Sequence, residues 1–207
     1  PWVFMACVEA LAVPVAVGLL WRAGSVSRQT IRSGILLGVI ANLAFLIGLQ
    51  ALRFTSATNT TFLGALSGVI GALITRLMFR QRLNPMIWAA AGLSLAGALG
   101  LVFGGGWFGI NSGDLFALLA AGIYAWSIFQ TDRETSRPKV DTPGLLAVVL
   151  ITGAALSFVE SLAFGDWAGT FGRLEPLADG GVLLYVATVT NVIPYAVTLK
   201  LQRHLRP

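Results

Sequence analysis

Between residues 180 and 202, Thr188, Asn191, Tyr195, Thr198 and Gln202 recur at spacings of three or four in an otherwise apolar stretch. On a helix such spacing puts them on one face. A polar face turned to lipid is costly, so this stripe is expected to meet protein or water. Its hydroxyl, amide and phenol groups suit hydrogen bonding to a small zwitterion, and they equally suit bonding between helices. Pro194 lies within the stripe. It removes one backbone donor and so frees a carbonyl that a solute or water can use. Asn42 and Gln50 stand two turns apart and within about a quarter turn of one another. With Asn59, beyond a polar turn, they offer the same amide chemistry. Glu9 and Glu160 are the two acids deep in apolar runs. An ionised carboxylate is expensive at membrane depth and marks a proton-coupling candidate, although Glu160 lies within about two turns of a membrane surface and can reach water.

Other chemistries lack their parts. Cys7 and His204 are the one cysteine and the one histidine. A disulfide framework, a zinc site or a haem site therefore has no ligand set, and no cofactor is expected. No nucleophile and base converge, so an enzyme is not expected. The net charge of +5 comes from basic residues dispersed at the ends of apolar runs. They form no stripe, and nucleic acid is not an expected partner.

These side chains must be positioned by membrane helices. The 207 residues are 56% hydrophobic and 11% charged, with 24 glycines, whereas about a quarter of a soluble domain is charged. Charge-poor runs recur at about 1–21, 33–52, 57–75, 85–104, 114–130, 143–164 and 180–199, each near the roughly 20 residues that cross a bilayer. Seven spans follow, with the lipid bilayer as solvent. Twelve of the 14 Lys and Arg residues fall in alternate connections: Arg22, Arg28 and Arg32; Arg76, Arg80 and Arg82; Arg133, Arg137 and Lys139; Lys200, Arg203 and Arg206. Arg53 and Arg173 are the two on the other side. The basic side is expected to be cytoplasmic, which leaves Pro1 outside and Pro207 inside.

Local signals agree. Asn84-Pro85 and Thr142-Pro143 open spans four and six, where a missing amide hydrogen costs nothing. Asn111 or Ser112 can cap span five, and Asp114 suits its positive end. Trp107, Trp167 and Tyr185 sit where interfacial lipid anchors are expected. Gly64, Gly68, Gly71 and Thr75 form one ridge of span three, and Gly92, Ala96 and Gly100 a small-residue series in span four. Both predict close helix packing.

A weak internal echo lays Ile35–Ala57 against Tyr185–Pro207, placing Arg53 opposite Arg203 and Phe45 opposite Tyr195. The two segments run in opposite directions through the membrane, as in an inverted repeat. The stretches GLQALRFTSATNTTF, RQRLNPMIWAAAGLSLAGALGLV and NSGDLFALLAAGIYAWSI resemble, in order and spacing, the EamA-like family of drug/metabolite transporters. The chain is similar to helices two to eight of that ten-helix, 5+5 inverted-repeat fold. Its departures are Arg76 at a usually apolar position, Gln81 where Glu is frequent, and three absent helices. Residues 1–104 would be the first repeat without its opening helix, and 111–207 the second without its last two.

The resemblance implies an all-α polytopic membrane protein of a bacterial inner membrane that exports small metabolites, such as amino acids, by alternating access. It also implies that Tyr124 and Trp126 match an aromatic pair of the family, of which at most one faces the cavity. Spans two, three, five and seven would line that cavity. The missing Met at residue 1 reads as a fragment, so partners would be missing helices or a second copy beside the small-molecule solute. A seven-helix receptor or sensor is the rival by span count, but Lys200 lies at the membrane surface and not where a retinal lysine would stand. A non-transporting fragment is a further alternative.

Overall fold

The structure is a computed structural model that describes residues 2–79, 85–104, 111–138, 140–172, 176–193 and 197. Among the described residues every regular element is helical. The elements are α1 (Trp2–Ala23), α2 (Arg28–Ala51), α3 (Ala57–Ala65), α4 (Ser67–Phe79), α5 (Pro85–Gly104), α6 (Ser112–Thr135), α7 (Thr142–Phe164), α8 (Trp167–Phe171) and α9 (Pro176–Tyr185), followed by a π-helical segment, Val186–Val192. Among the described residues, five stretches are long and apolar enough to cross a membrane: α1, α2, Ala57–Ile74, α6 and α7. Two shorter apolar helices, Trp88–Gly97 and Gly180–Val189, fall within the other two runs read from the sequence. The chain is an all-helical, polytopic membrane protein.

Element ends follow local chemistry. Gly24 leaves α1 at φ 68°, a conformation that favours glycine, and its amide bonds the Leu20 carbonyl at 3.2 Å. Ser27 caps α2 through the Thr30 amide at 3.0 Å, and Asp141 caps α7 through Gly144 at 2.7 Å, with Pro143 in the first turn. The third span is not the single helix expected over 57–75. It breaks at Leu66, whose amide bonds Leu63 at 3.1 Å in a tighter turn. Gly64, Ser67 and Gly68 flank that break, and Gly/Ser positions are where helices kink.

Two compact units emerge, and their boundaries fall inside α2 and α6. In the unit formed by Pro1–Asn42 and Asp132–Pro207, α1 and α7 share a core of Ala12, Ala16, Leu145, Leu146, Ala147, Val149 and Leu150, joined by Leu37 of α2. Alanine on one side and leucine or valine on the other let the backbones approach. A Cβ on Gly34 would stand 2.5 Å from Val148 Cγ1, and one on Gly38 would stand 2.7 Å from Thr152 Cβ. These two glycines set the α2–α7 distance. In the unit Leu43–Thr131, Ala51, Leu63 and Ala117 form the core, and the α6 ridge Ala117, Ala121 and Ala125 is buried.

The small-residue ridges expected to pack behave differently. A Cβ on Gly71 would stand 4.0 Å from Ala125 Cβ, but one on Gly64, Gly68, Gly92 or Gly100 would meet open space among the described residues. Close packing is concentrated instead on α2, at Gly34 and Gly38.

Same-side loops meet as the charge alternation requires. Within the first unit, Thr30 accepts from the Asp141 amide at 3.2 Å and Ser33 hydrogen-bonds Glu134, which ties the first and fifth connections. Trp2 lies 5.7 Å from Phe164, which joins the chain's beginning to the sixth connection. Within the second unit, Thr55 bonds Asp114 at 2.8 Å, which ties the second and fourth connections.

Candidate functional site

The polar cluster of the first unit is built on one face of α7. Gly153, Ser157 and Glu160 fall at i, i+4 and i+7. Asn42 on α2 stands one turn beyond Gly38, so the tight contact of Gly38 with Thr152 brings its amide to the same face. Asn42 Nδ2 donates to Ser157 Oγ at 3.2 Å. The Asn42 side chain also hydrogen-bonds the Glu160 carboxylate. Ser157 is buried, while Asn42 and Glu160 are half-buried.

Glu9 of α1 joins from the other side. Its Oε2 lies 3.4 Å from where a Cβ on Gly153 would stand, so the bare glycine makes room for the carboxylate. Pro14 also lies in α1. It lacks the amide hydrogen that would bond the carbonyl of Ala10, the residue after Glu9. The cluster thus gathers two carboxylates, a carboxamide and a hydroxyl from three helices. Such a set can hold and release a proton and can exchange hydrogen bonds with a solute carrying N–H or carboxylate groups. It unites Asn42 with Glu160, and it brings Glu9 alongside the same α7 face.

The other residues singled out from the sequence occupy different places. Gln50 accepts from Arg53 Nη1 at 3.3 Å at the end of α2. Asn59 donates to Thr55 Oγ1 at 3.4 Å, and Thr55 in turn donates to Asp114. Asn111 and Asp114 cap α6 reciprocally, with amide-to-side-chain distances of 3.1 and 2.9 Å. A Cβ on Gly113 would stand 2.7 Å from the Thr55 amide nitrogen, so the polar turn seats directly on the start of α6. Gln50 and Asn59 therefore serve this turn. Tyr124 is exposed, whereas Trp126 is half-buried with its ring 5.2 Å from Phe129.

Asn191 lies in the π-helical segment Val186–Val192. There the backbone bonds run i→i+5, as from Ile193 to Thr188. Thr188 donates its hydroxyl to its own helix, at Leu184 O, 2.7 Å away. Tyr195, with Thr198 and Gln202, lies outside the described residues. Trp167 donates to Ser161 O at 3.1 Å and stacks on Phe171 at 5.8 Å. It holds α8 against the end of α7, a structural use beyond lipid anchoring.

Two polar features stand apart from the residues singled out by sequence. Ser33 hydrogen-bonds the buried Glu134, whose Oε1 pairs with Arg137 at 2.9 Å. On α6, Ser127 and Thr131 are buried and half-buried Gln130 lies between them, its Oε1 enclosed without a hydrogen-bond partner among the described residues. Leaving such an acceptor unmade costs about 1–3 kcal/mol. The spacing of three and four that marks Thr188 and Asn191 also runs through Ser127, Gln130, Thr131 and Glu134. The same rule would find them.

Residues 1–103 match the model of the EamA-like transporter family. A protein of known crystal structure superposes with a TM-score of 0.74 at 20% identity, over 98% of this chain and 70% of its own length. That likeness shows the fold. No curated protein matches. Over residues 1–103 the chain belongs to the EamA-like transporter family.

Proposed function

We propose that this EamA-like chain exports small metabolites such as amino acids by alternating access, from a bacterial inner membrane with Pro1 outside and Pro207 in the cytoplasm. Family membership supports a membrane transporter of the drug/metabolite kind. The observation that carries the mechanistic part is the Asn42–Ser157–Glu160 cluster on two helices that are each long and apolar enough to span a membrane. A carboxylate at such a position is a functional candidate by default.

The chemistry favours exchange. The ionised carboxylate of Glu160 is an acceptor for the N–H groups of an amine-bearing solute, with the Asn42 amide and the Ser157 hydroxyl beside it. A proton on Glu160 removes that anionic acceptor and releases the solute. Deprotonation restores the acceptor, so solute and proton compete for one carboxylate. Proton and solute thus alternate at one residue, which is the logic of an exporter driven by inward protons. Glu9 facing Gly153 is the second proton-coupling candidate. Trp126, Asn191 and Tyr195, singled out from the sequence, are further proposed solute contacts.

In vesicles, flux through the parent chain is expected to change with pH. Glu9→Gln combined with Glu160→Gln is expected to flatten that dependence while the protein stays folded. An unchanged pH profile in the double variant removes the coupling role from both.

A second reading concerns partners. The faces at Gly64, Gly68, Gly92 and Gly100, open among the described residues, have the small-residue pattern that covers itself with further helices. We read them as docking faces for helices of a longer chain or of a second copy. On this reading residues 1–104 and 111–207 are two inverted repeats, each completed by helices beyond those described.

A further inference from the structure

We propose that Gln130 of α6 is a solute contact, accepting a hydrogen bond through Oε1 from the ammonium group of a small amine-bearing solute. This deepens the transporter reading and rests on it. Gln130 Oε1 is buried and, among the described residues, has no hydrogen-bond partner. Almost all buried polar atoms in folded proteins do find one, so an orphan calls for a specific cause. Thr131, next in sequence, gives its hydroxyl proton to the Ser127 carbonyl at 2.8 Å. What the carbonyl oxygen lacks is a donor, and only N–H or O–H groups supply one.

The choice of an ammonium donor comes from Trp126. It stands four residues before Gln130, on the same face of α6, and is half-buried. The face of an indole attracts a cation, best of the aromatic side chains. A carbonyl and an indole one turn apart therefore make a pair suited to a primary ammonium, with the uncharged amide binding it weakly enough to let it go. Gln130 is five residues from the end of α6 at Thr135, about 8 Å along the axis. It therefore lies toward the basic side of the membrane, where an exporter would take up its cargo.

The test uses the full chain purified in lipid nanodiscs, with a tritiated mixture of the standard L-amino acids as probe. The parent chain is expected to bind probe, and an excess of the matching deaminated acids is expected not to compete. Gln130→Leu keeps side-chain volume and removes the acceptor. Its thermal midpoint is expected to hold or rise, because an unmade acceptor is gone, while probe binding falls at least tenfold. Gln130→Glu keeps the acceptor and is expected to bind probe at least as well as the parent. Parent-like binding by Gln130→Leu overturns the proposal and leaves the transporter reading standing. Competition by the deaminated acids overturns the ammonium assignment. If the parent chain binds no probe, the amino-acid reading of the transporter fails and this proposal fails with it.

Discussion

Asn42 is where a single substitution bears hardest on the proposed pathway. It gives one hydrogen bond to Ser157 and one to Glu160, across the α2–α7 contact. Side-chain hydrogen bonds between membrane helices are worth about 0.6 kcal/mol on average and rarely above about 1.7. That is small beside the packing that Gly34 and Gly38 allow along the same seam. Asn42→Ala is therefore expected to lower stability by only about 1 kcal/mol, read as a small drop in thermal midpoint, while solute flux falls at least tenfold. Normal flux in the folded variant would remove Asn42 from the pathway. Among the residues, the acids and amides of the cluster are legible in the sequence because a polar group in an apolar run stands out. That Asn42 meets Ser157 and Glu160 is not legible. The meeting depends on a helix approach fixed by two glycines, which composition does not reveal. Gln130 differs again: its spacing follows the same rule as Thr188 and Asn191, but only burial shows that its oxygen is orphaned.

At the scale of elements, the seven apolar runs and their caps at Asp141 and Asn111 follow from hydropathy and side-chain chemistry that are local in sequence. Packing partners are not local, and small-residue spacing alone points to the wrong helices. Gly38 is wedged against Thr152, with 2.7 Å between an added Cβ and Thr152 Cβ, whereas Gly92 faces open space among the described residues. Gly38→Val is expected to cost about 1–3 kcal/mol through overpacking. Gly92→Ala is expected to gain about 0.5–1 kcal/mol, since alanine loses less backbone freedom in a helix. Thermal midpoints of the two variants in one lipid mixture check both, and a fall for Gly92→Ala would mean that another helix covers that face. The break at Leu66 and the π-helical turn at Val186–Val192 are illegible for a different reason. Both keep the apolar pattern while changing the winding beneath it.

For the molecule as a whole, the alternation of basic and non-basic connections is echoed by contacts between loops on the same side. Thr30 with Asp141, Ser33 with Glu134, and Thr55 with Asp114 each join connections that the charge pattern assigns to one surface. In a Cys7→Ser background, Thr55→Cys is expected to react with an impermeant maleimide from outside intact cells, and Arg28→Cys only after lysis. The reverse pattern would invert the proposed orientation and with it the direction of export.

The central claim is proton-linked export, and flux under an imposed gradient tests it most directly. Proteoliposomes holding the full chain and an acidic lumen are given the tritiated amino-acid mixture outside. Outward protons should drive probe inward above its level in protein-free vesicles, and Glu160→Gln should abolish that gradient-driven excess. Uptake no greater than in protein-free vesicles, or an excess indifferent to the gradient, would contradict proton-linked export.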